Sequence, residues 1–167
     1  MPDTCRIYIV RHAIAAERGG AYPDDALRPL TSSGIERFRQ VAKGLAWLDT
    51  RVDRILTSPF VRARQTADIL AEHLPGKPPV VETEALLPGA TFDDLRQHME
   101  ASGRCSSVAL VGHEPGVGEL AARLLGLRHP LVFKKGGVCR IDMETLPPAG
   151  PGELRWFAPP RMLARLR

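Results

Sequence analysis

The feature that most constrains this chain is a short apolar run at residues 6–10 (RIYIV) that ends abruptly in Arg11-His12. β-Branched and aromatic side chains in so short a run favour a strand, and the lack of polar alternation marks a strand covered on both faces. The pattern recurs. Residues 53–57 (DRILT) run into Ser58-Pro59, and residues 108–111 (VALV) run into Gly112-His113.

Between these runs the period changes. In residues 33–48 (SGIERFRQVAKGLAWL), Ile35, Phe38, Val41, Ala42, Leu45 and Leu48 fall on one helical stripe. Ser33 and Glu36 form a capping box for it, with Thr31 and Ser32 as alternative caps. Ser58-Pro59 reads as the N-cap and first-turn pair of a helix reaching about Glu72, with Ala63, Ala67, Leu70 and Ala71 available for packing. Thr91 and Asp94 can cap a helix over 92–100, and Pro115 opens one carrying Val117, Leu120, Ala121, Leu124 and Leu125. A weak strand is expected at 80–82 and two late strands at 137–143 and 153–158. The turn TLPPAGPG between the last two makes an antiparallel edge pair more natural than a crossover helix. The expected fold is α/β, a three-layer α/β/α sandwich whose central sheet is mostly parallel with a late antiparallel edge pair.

Its 167 residues, 44% hydrophobic and 25% charged, suit a single globular domain spanning 1–167, with no internal repeat and no disordered or coiled-coil composition. Aromatics at 5% argue against a base-stacking nucleic-acid platform. The formal charge of +4 favours anionic partners without a basic run that would specify nucleic acid. Cys5, Cys105 and Cys139, an odd number at wide spacing, match neither a disulfide framework nor a thiolate metal site. No apolar run approaches membrane-spanning length, and the start lacks a signal-peptide pattern, so a cytoplasmic protein is expected.

Ligands of open α/β sheets bind outside the carboxyl ends of the strands. Arg11-His12, Ser58-Pro59 and Gly112-His113 all fall there, and the latter two also open helices whose first amides favour an anion. His12 can present a neutral imidazole as a nucleophile while a neighbouring guanidinium neutralises phosphate oxygens. His113 can act as a second, protonated donor, and the planar forks of Arg11 and Arg62 suit tetrahedral oxyanions. Arg62 lies one turn into its helix, with Gln65 and Thr66 on the same side, whereas Arg64 points elsewhere. Such a site requires neither metal nor cofactor. GHEPGVG is neither a P-loop nor a dinucleotide fingerprint, and it serves equally as a plain turn or a phosphate nest.

Other residues discriminate less. The irregular stretch 13–31 is long enough to be functional, and Arg18, Arg28 and Asp24-Asp25 within it either rim the pocket or form a solvated face. Lys134 and Lys135 either steer an anionic substrate or belong to an ordinary polar rim. His73, His98 and His129 show no metal-ligand spacing. Trp47 and Trp156 are assigned to packing, and the terminal RMLARLR to a cap with a basic outer face.

The ordered motifs RHA at 11–13, RPLTSSG at 28–34, SPFVRARQTA at 58–67 and VGHEPG at 111–116 together resemble the histidine phosphatase superfamily, of phosphoglycerate-mutase-like fold. More narrowly they resemble its short bacterial phosphohistidine phosphatases of the SixA type, over nearly the whole chain. The resemblance implies that His12 is phosphorylated and then dephosphorylated by water, with Arg11, Arg62 and His113 completing the phosphate pocket. Ala13 stands where the family has glycine, which narrows the freedom of that turn.

A second departure bears on substrate. Many members carry a general acid in the loop after the third strand, but here that loop reads ETEALLPGATFDD and Pro88 lies near the expected carboxylate. Glu84 is the leading candidate acid, with Asp93 and Asp94 behind it. An imidazole leaves phosphorus more readily than an alkoxide, so a pocket lacking a firmly placed acid fits phosphohistidine better than an alcohol phosphate. The expected activity is therefore that of a phosphohistidine protein phosphatase working through a phosphohistidine-enzyme intermediate in signal transduction. Its implied partner is a phosphohistidine-bearing protein such as a histidine phosphotransfer domain, with no nucleic acid and no membrane. Two alternatives remain: a small-molecule or polyphosphate-type phosphohydrolase on the same scaffold, and a non-catalytic phosphate-recognition or scaffolding protein.

Overall fold

The computed structural model describes residues 4–166. Its six strands are β1 (Cys5–Arg11), β2 (Arg54–Thr57), β3 (Val80–Glu82), β4 (Ser107–Gly112), β5 (Val138–Met143) and β6 (Glu153–Ala158). They form one sheet in the order β3-β2-β4-β1-β5-β6. The first four of that order run parallel, β5 is antiparallel to β1, and β6 is antiparallel to β5. The three-layer reading with a late antiparallel pair is thus correct.

Strand alternation divides the core into two layers. Tyr8 and Val10 of β1, Ile55 of β2 and Ala109 and Val111 of β4 face one side. There they meet α1 (Ser32–Trp47) and α2 (Val61–His73) through Phe38, Val41, Leu45, Ala63, Ala67 and Leu70. Ile7, Ile9, Leu56, Val108 and Leu110 face the other side, against α3 (Phe92–Ala101) and α4 (Gly116–Leu125) through Leu95, Met99, Val117, Leu120 and Leu124. Central strands apolar on both faces follow directly from that double cover.

The caps refine the sequence reading. Thr31, rather than Ser33, caps α1 by accepting the Gly34 N–H at 2.9 Å. Glu36 turns outward and accepts a hydrogen bond from Gln40. A Cβ at Gly34 would overlap the carbonyl oxygen of Ile14, so only glycine lets the first turn of α1 pass so close to the chain leaving β1. Thr91 and Asp94 form the expected capping box of α3. Ser58 does not begin α2. The helix starts at Val61, and the Ser58 hydroxyl instead accepts the Phe60 N–H at 3.2 Å, which stabilises a turn ahead of the helix.

Trp156 packs on Tyr8 with ring centroids 6.1 Å apart, but Trp47 is 60% exposed at the end of α1 and has no packing role. The terminal run forms the short helix α5 (Pro160–Leu163), whose buried Leu163 seats against Gly44 of α1. Among the described residues, no helix is long and apolar enough to cross a membrane.

Candidate active site

The sheet order creates the site. β1 and β4 are neighbours, with Arg11 opposite Gly112, yet the helix that follows β1 covers one face and the helix that follows β4 covers the other. The two chains separate just past their carboxyl ends and leave a crevice. His12 and His113 stand at its base, their rings 5.2 Å apart, and the His12 N–H donates to the Gly112 carbonyl at 3.0 Å. The first turn of α2 brings Arg62 to the same crevice. These side chains line one cavity of about 550 Å³ together with Arg11, Phe60 and residues of the 13–31 stretch.

His12 is 6% exposed, and its Nδ1 lies 2.7 Å from the carbonyl oxygen of Ala13. A carbonyl can only accept, so Nδ1 carries the proton and Nε2 keeps its lone pair. Burial, reinforced by His113, Arg62 and Arg11, lowers its pKa to about 3 against the partial support of that hydrogen bond. The ring is therefore a neutral base or nucleophile across the physiological range. The turn behind it is fixed by Thr66, whose hydroxyl accepts the Ala13 N–H at 3.1 Å and donates to the Arg62 carbonyl at 2.7 Å. Gln65 ties the returning loop by accepting the Leu30 N–H.

His113 is equally buried and is held through the opposite nitrogen, with Nε2 2.8 Å from Ser58 Oγ. Since Ser58 already accepts the Phe60 N–H, the pairing that uses every group has Ser58 donating to Nε2, which leaves the proton of His113 on Nδ1. Burial and the nearby arginines lower its pKa to about 4, so in the free protein His113 is a neutral N–H donor rather than the cation expected from sequence. Phe60 closes this side, edge-on to His113 at 5.3 Å.

Both arginines are anchored by backbone. Arg11 Nη1 donates to the Phe133 carbonyl at 2.7 Å, and Arg62 Nη1 to the Asp25 carbonyl at 2.7 Å. Arg62 Nη2 also meets the Asp25 carboxylate at 2.9 Å, which pairs in turn with Arg28 at 2.8 Å and Arg18 at 3.2 Å. Burial pulls the Asp25 carboxyl upward, but its bonds with Arg28 and Arg62 more than offset this and hold it below the usual carboxylate range. Among the described residues, three of the four buried side-chain nitrogens without a partner belong to this site: Arg11 Nε, Arg62 Nε and His113 Nδ1. Buried donors are seldom left unpaired in native proteins. The residues that carry these three nitrogens line the cavity together with His12, and their guanidinium and imidazole groups suit a bound oxyanion.

The structure therefore brings together Arg11, His12, Arg62 and His113, with Arg18, Arg28 and Lys135 around them. Arg64 is engaged elsewhere, with Asp68 and Glu82. Glu84, expected as the candidate proton donor, lies outside the cavity. It opens a 3₁₀ turn, and the turn aims Leu87 and Pro88 at the crevice while Glu84 borders a separate hollow beside Asp94 and His98. Asp94 is committed to its cap, and Asp93 pairs with Arg96. Two carboxylates do face the cavity, Asp25 and Glu114. The sequence reading left the first open and gave the second no role. The signal for Asp25 was its position three residues before Arg28; for Glu114 it was a carboxylate directly after a strand-end histidine.

Comparison with known proteins agrees with this arrangement. The profile of the histidine phosphatase superfamily (branch 1) matches residues 7–88. An uncharacterized protein of Picosynechococcus is 38% identical over 136 residues, covering 79% of this chain and 81% of its own. The phosphohistidine phosphatase SixA of Escherichia coli is 29% identical over 159 residues, 93% of this chain and 94% of that one. A solved structure of the protein histidine phosphatase SixA complexed with tungstate superposes with a TM-score of 0.79 at 26% identity, covering 95% of this chain and 99% of that one.

Proposed function

Because the chain belongs to the histidine phosphatase superfamily, in its SixA-like branch, we propose that it hydrolyses phosphohistidine on a protein partner without a metal ion, through a phosphoryl group carried on His12. The observation that carries this reading is the fixed tautomer of His12, which leaves an Nε2 lone pair in a cavity also lined by Arg11, Arg62 and His113.

The chemistry follows from the geometry. In-line attack by Nε2 on phosphorus transfers the phosphoryl group to His12 as the bond from phosphorus to the substrate's imidazole breaks, and the His12 proton stays on Nδ1, hydrogen-bonded to the Ala13 carbonyl. Arg11, Arg62 and the His113 N–H hold the equatorial oxygens as negative charge redistributes over them, which is the main demand of phosphoryl transfer. Water then attacks the phosphoryl-His12 and restores the neutral ring. For a phosphohistidine substrate, the bond broken in the first step and the bond formed are both phosphorus to imidazole nitrogen, so that transfer is nearly balanced in energy. Arg18, 78% exposed, and Lys135 at the cavity mouth present positive charge outward, which favours a negatively charged phosphorylated partner, in this reading a protein such as a histidine phosphotransfer domain.

The test is turnover of a phosphohistidine peptide and a panel of phosphomonoesters in excess chelator. Sustained cleavage of the peptide, with acid-labile phosphate trapped on His12 and absent from His12→Ala, is expected. Loss of activity on chelation with recovery on adding a divalent cation would overturn the metal-free mechanism. Tungstate should compete with substrate.

A further inference from the structure

The reaction so far gives no part to Asp25, a carboxylate in a cavity whose walls also carry Arg11, Arg18, Arg28, Arg62 and Lys135. We propose that Asp25 is a positioning residue for the phosphoryl transfer: it fixes the guanidinium of Arg62 and, through its own charge, lowers the affinity of the site for free orthophosphate. The inference rests on the reading of His12 as phosphoryl acceptor and of Arg62 as a holder of the phosphate oxygens.

The buried guanidinium of Arg62 is held at both ends of its fork by one residue. Nη1 donates to the Asp25 carbonyl at 2.7 Å and Nη2 to the Asp25 carboxylate at 2.9 Å. The Phe60 ring lies against its face, 5.2 Å from Cζ to the ring centroid. A planar group gripped by two acceptors and covered on one face has its plane set. The Nε N–H, buried and without a partner, is left to point at a ligand.

Asp25 is itself held in place. It opens a 3₁₀ turn (Asp25–Leu27) capped by Asp24, whose carboxylate accepts the Ala26 N–H at 3.0 Å. Its Oδ1 meets Arg28 Nε at 2.8 Å and Arg18 Nε at 3.2 Å, and Arg28 Nη1 continues to the Ala16 carbonyl at 2.6 Å. A run of contacts therefore joins the loop backbone at Ala16 to Arg62 through Arg28 and Asp25. Three guanidinium groups share this one carboxylate.

Such a residue acts in opposite directions on two states. A bound phosphate gains from every nearby cation, however loosely oriented, and loses from the Asp25 charge, so ground-state binding is weaker with Asp25 than without it. The transition state instead needs donors already fixed where charge develops, and a small misplacement there is expensive. Interactions stronger in the transition state than in the ground state are the ones that raise the rate. A side chain that only docked the loop would support both states equally.

The experiment compares wild type, Asp25→Asn, Asp25→Glu, Arg62→Lys and the Asp25→Asn, Arg62→Lys double variant. Rapid quench follows phosphoenzyme formation from a phosphohistidine peptide, and calorimetry gives the Kd of inorganic phosphate. Asp25→Asn should slow phosphoryl transfer by about 10–10²-fold while binding phosphate at least as tightly as wild type. Arg62→Lys should slow transfer by about 10²–10³-fold. Because Asp25 acts through Arg62, the double variant should fall within about threefold of Arg62→Lys alone. Asp25→Glu keeps the charge and should recover part of the rate, with phosphate affinity returned towards that of wild type. Transfer within about twofold of wild type in Asp25→Asn, weaker phosphate binding in that variant, or losses that multiply in the double variant would overturn the proposal while wild-type phosphoenzyme leaves the His12 reading intact. Absence of phosphoenzyme from wild type would overturn both.

Discussion

The exits of β1 and β4 place the same residue type at the same height on neighbouring strands, yet the two imidazoles are held through opposite ring nitrogens. At the β1 exit the partner of His12 is a backbone carbonyl, which can only accept and so fixes the lone pair on Nε2. At the β4 exit the partner of His113 is a serine hydroxyl, which can donate or accept and so lets the ring adapt. In the proposed reaction the rigid partner suits a nucleophile and the adaptable one suits a donor able to follow a changing charge. Role is assigned by what lies behind the ring, since both rings are buried and both have lowered pKa values.

The comparison can be broken by removing each ring in turn. His12→Ala should abolish the phosphoenzyme and reduce kcat by about 10⁴–10⁶-fold, as expected for loss of a covalent nucleophile. A residual phosphoenzyme in that variant would assign the nucleophile elsewhere. His113→Gln should leave the phosphoenzyme detectable but slow its formation by about 10²–10³-fold, the usual cost of one donor to a developing oxyanion. If it matched His12→Ala in destroying the intermediate, the division of roles would fail. Ser58→Ala sharpens the contrast further. It removes one neutral hydrogen bond, about 0.5–1.5 kcal/mol, and should slow turnover by roughly tenfold or less. A loss as large as that of His113→Gln would mean that the tautomer of His113 is not adaptable at all.

The smallest expected effect is on stability. Both histidines titrate below the ordinary 6.5 when folded, at about 3 and about 4, so the unfolded chain binds protons first as pH falls. The stability they contribute is complete above pH 6.5 and is lost through the window from there down to about 3. Thermal melting across that range should show a shallower acid decline in the His12→Gln, His113→Gln double variant than in wild type. Parallel curves would remove the two rings as the cause.

Much of this was legible because the strands are short and nearly pure. Runs such as RIYIV and VALV admit a strand buried on both faces and little else, and their polar ends mark the crevice before any coordinate is known. Arg62 followed from helical period, since Gln65 and Thr66 share its side and tie the helix to the loops at Leu30 and Ala13. What escaped depended on loop conformation, which carries no period. Glu84 lay at the expected distance from β3, but the 3₁₀ turn that it opens directs Leu87 and Pro88 inward in its place. Asp25 reaches Arg62 across 37 residues of chain through a loop whose path no local rule specifies. Ser58 looked like a helix cap because serine before proline usually is one; a tertiary partner, His113, gives it a second use.

The adjacency of β1 and β4 also governs when the site can exist. Arg11 pairs with Gly112, about a hundred positions later, and three crossovers must be laid down before those strands can meet. Contacts so distant in sequence are closed late and slowly, because the entropy of closing the intervening chain opposes them until the local elements are in place. A nascent or partly folded chain therefore holds His12 and Arg11 apart from His113, so the proposed site is incomplete. Catalytic competence arrives with completion of the sheet, so recovery of activity on refolding reports β1–β4 pairing rather than helix formation.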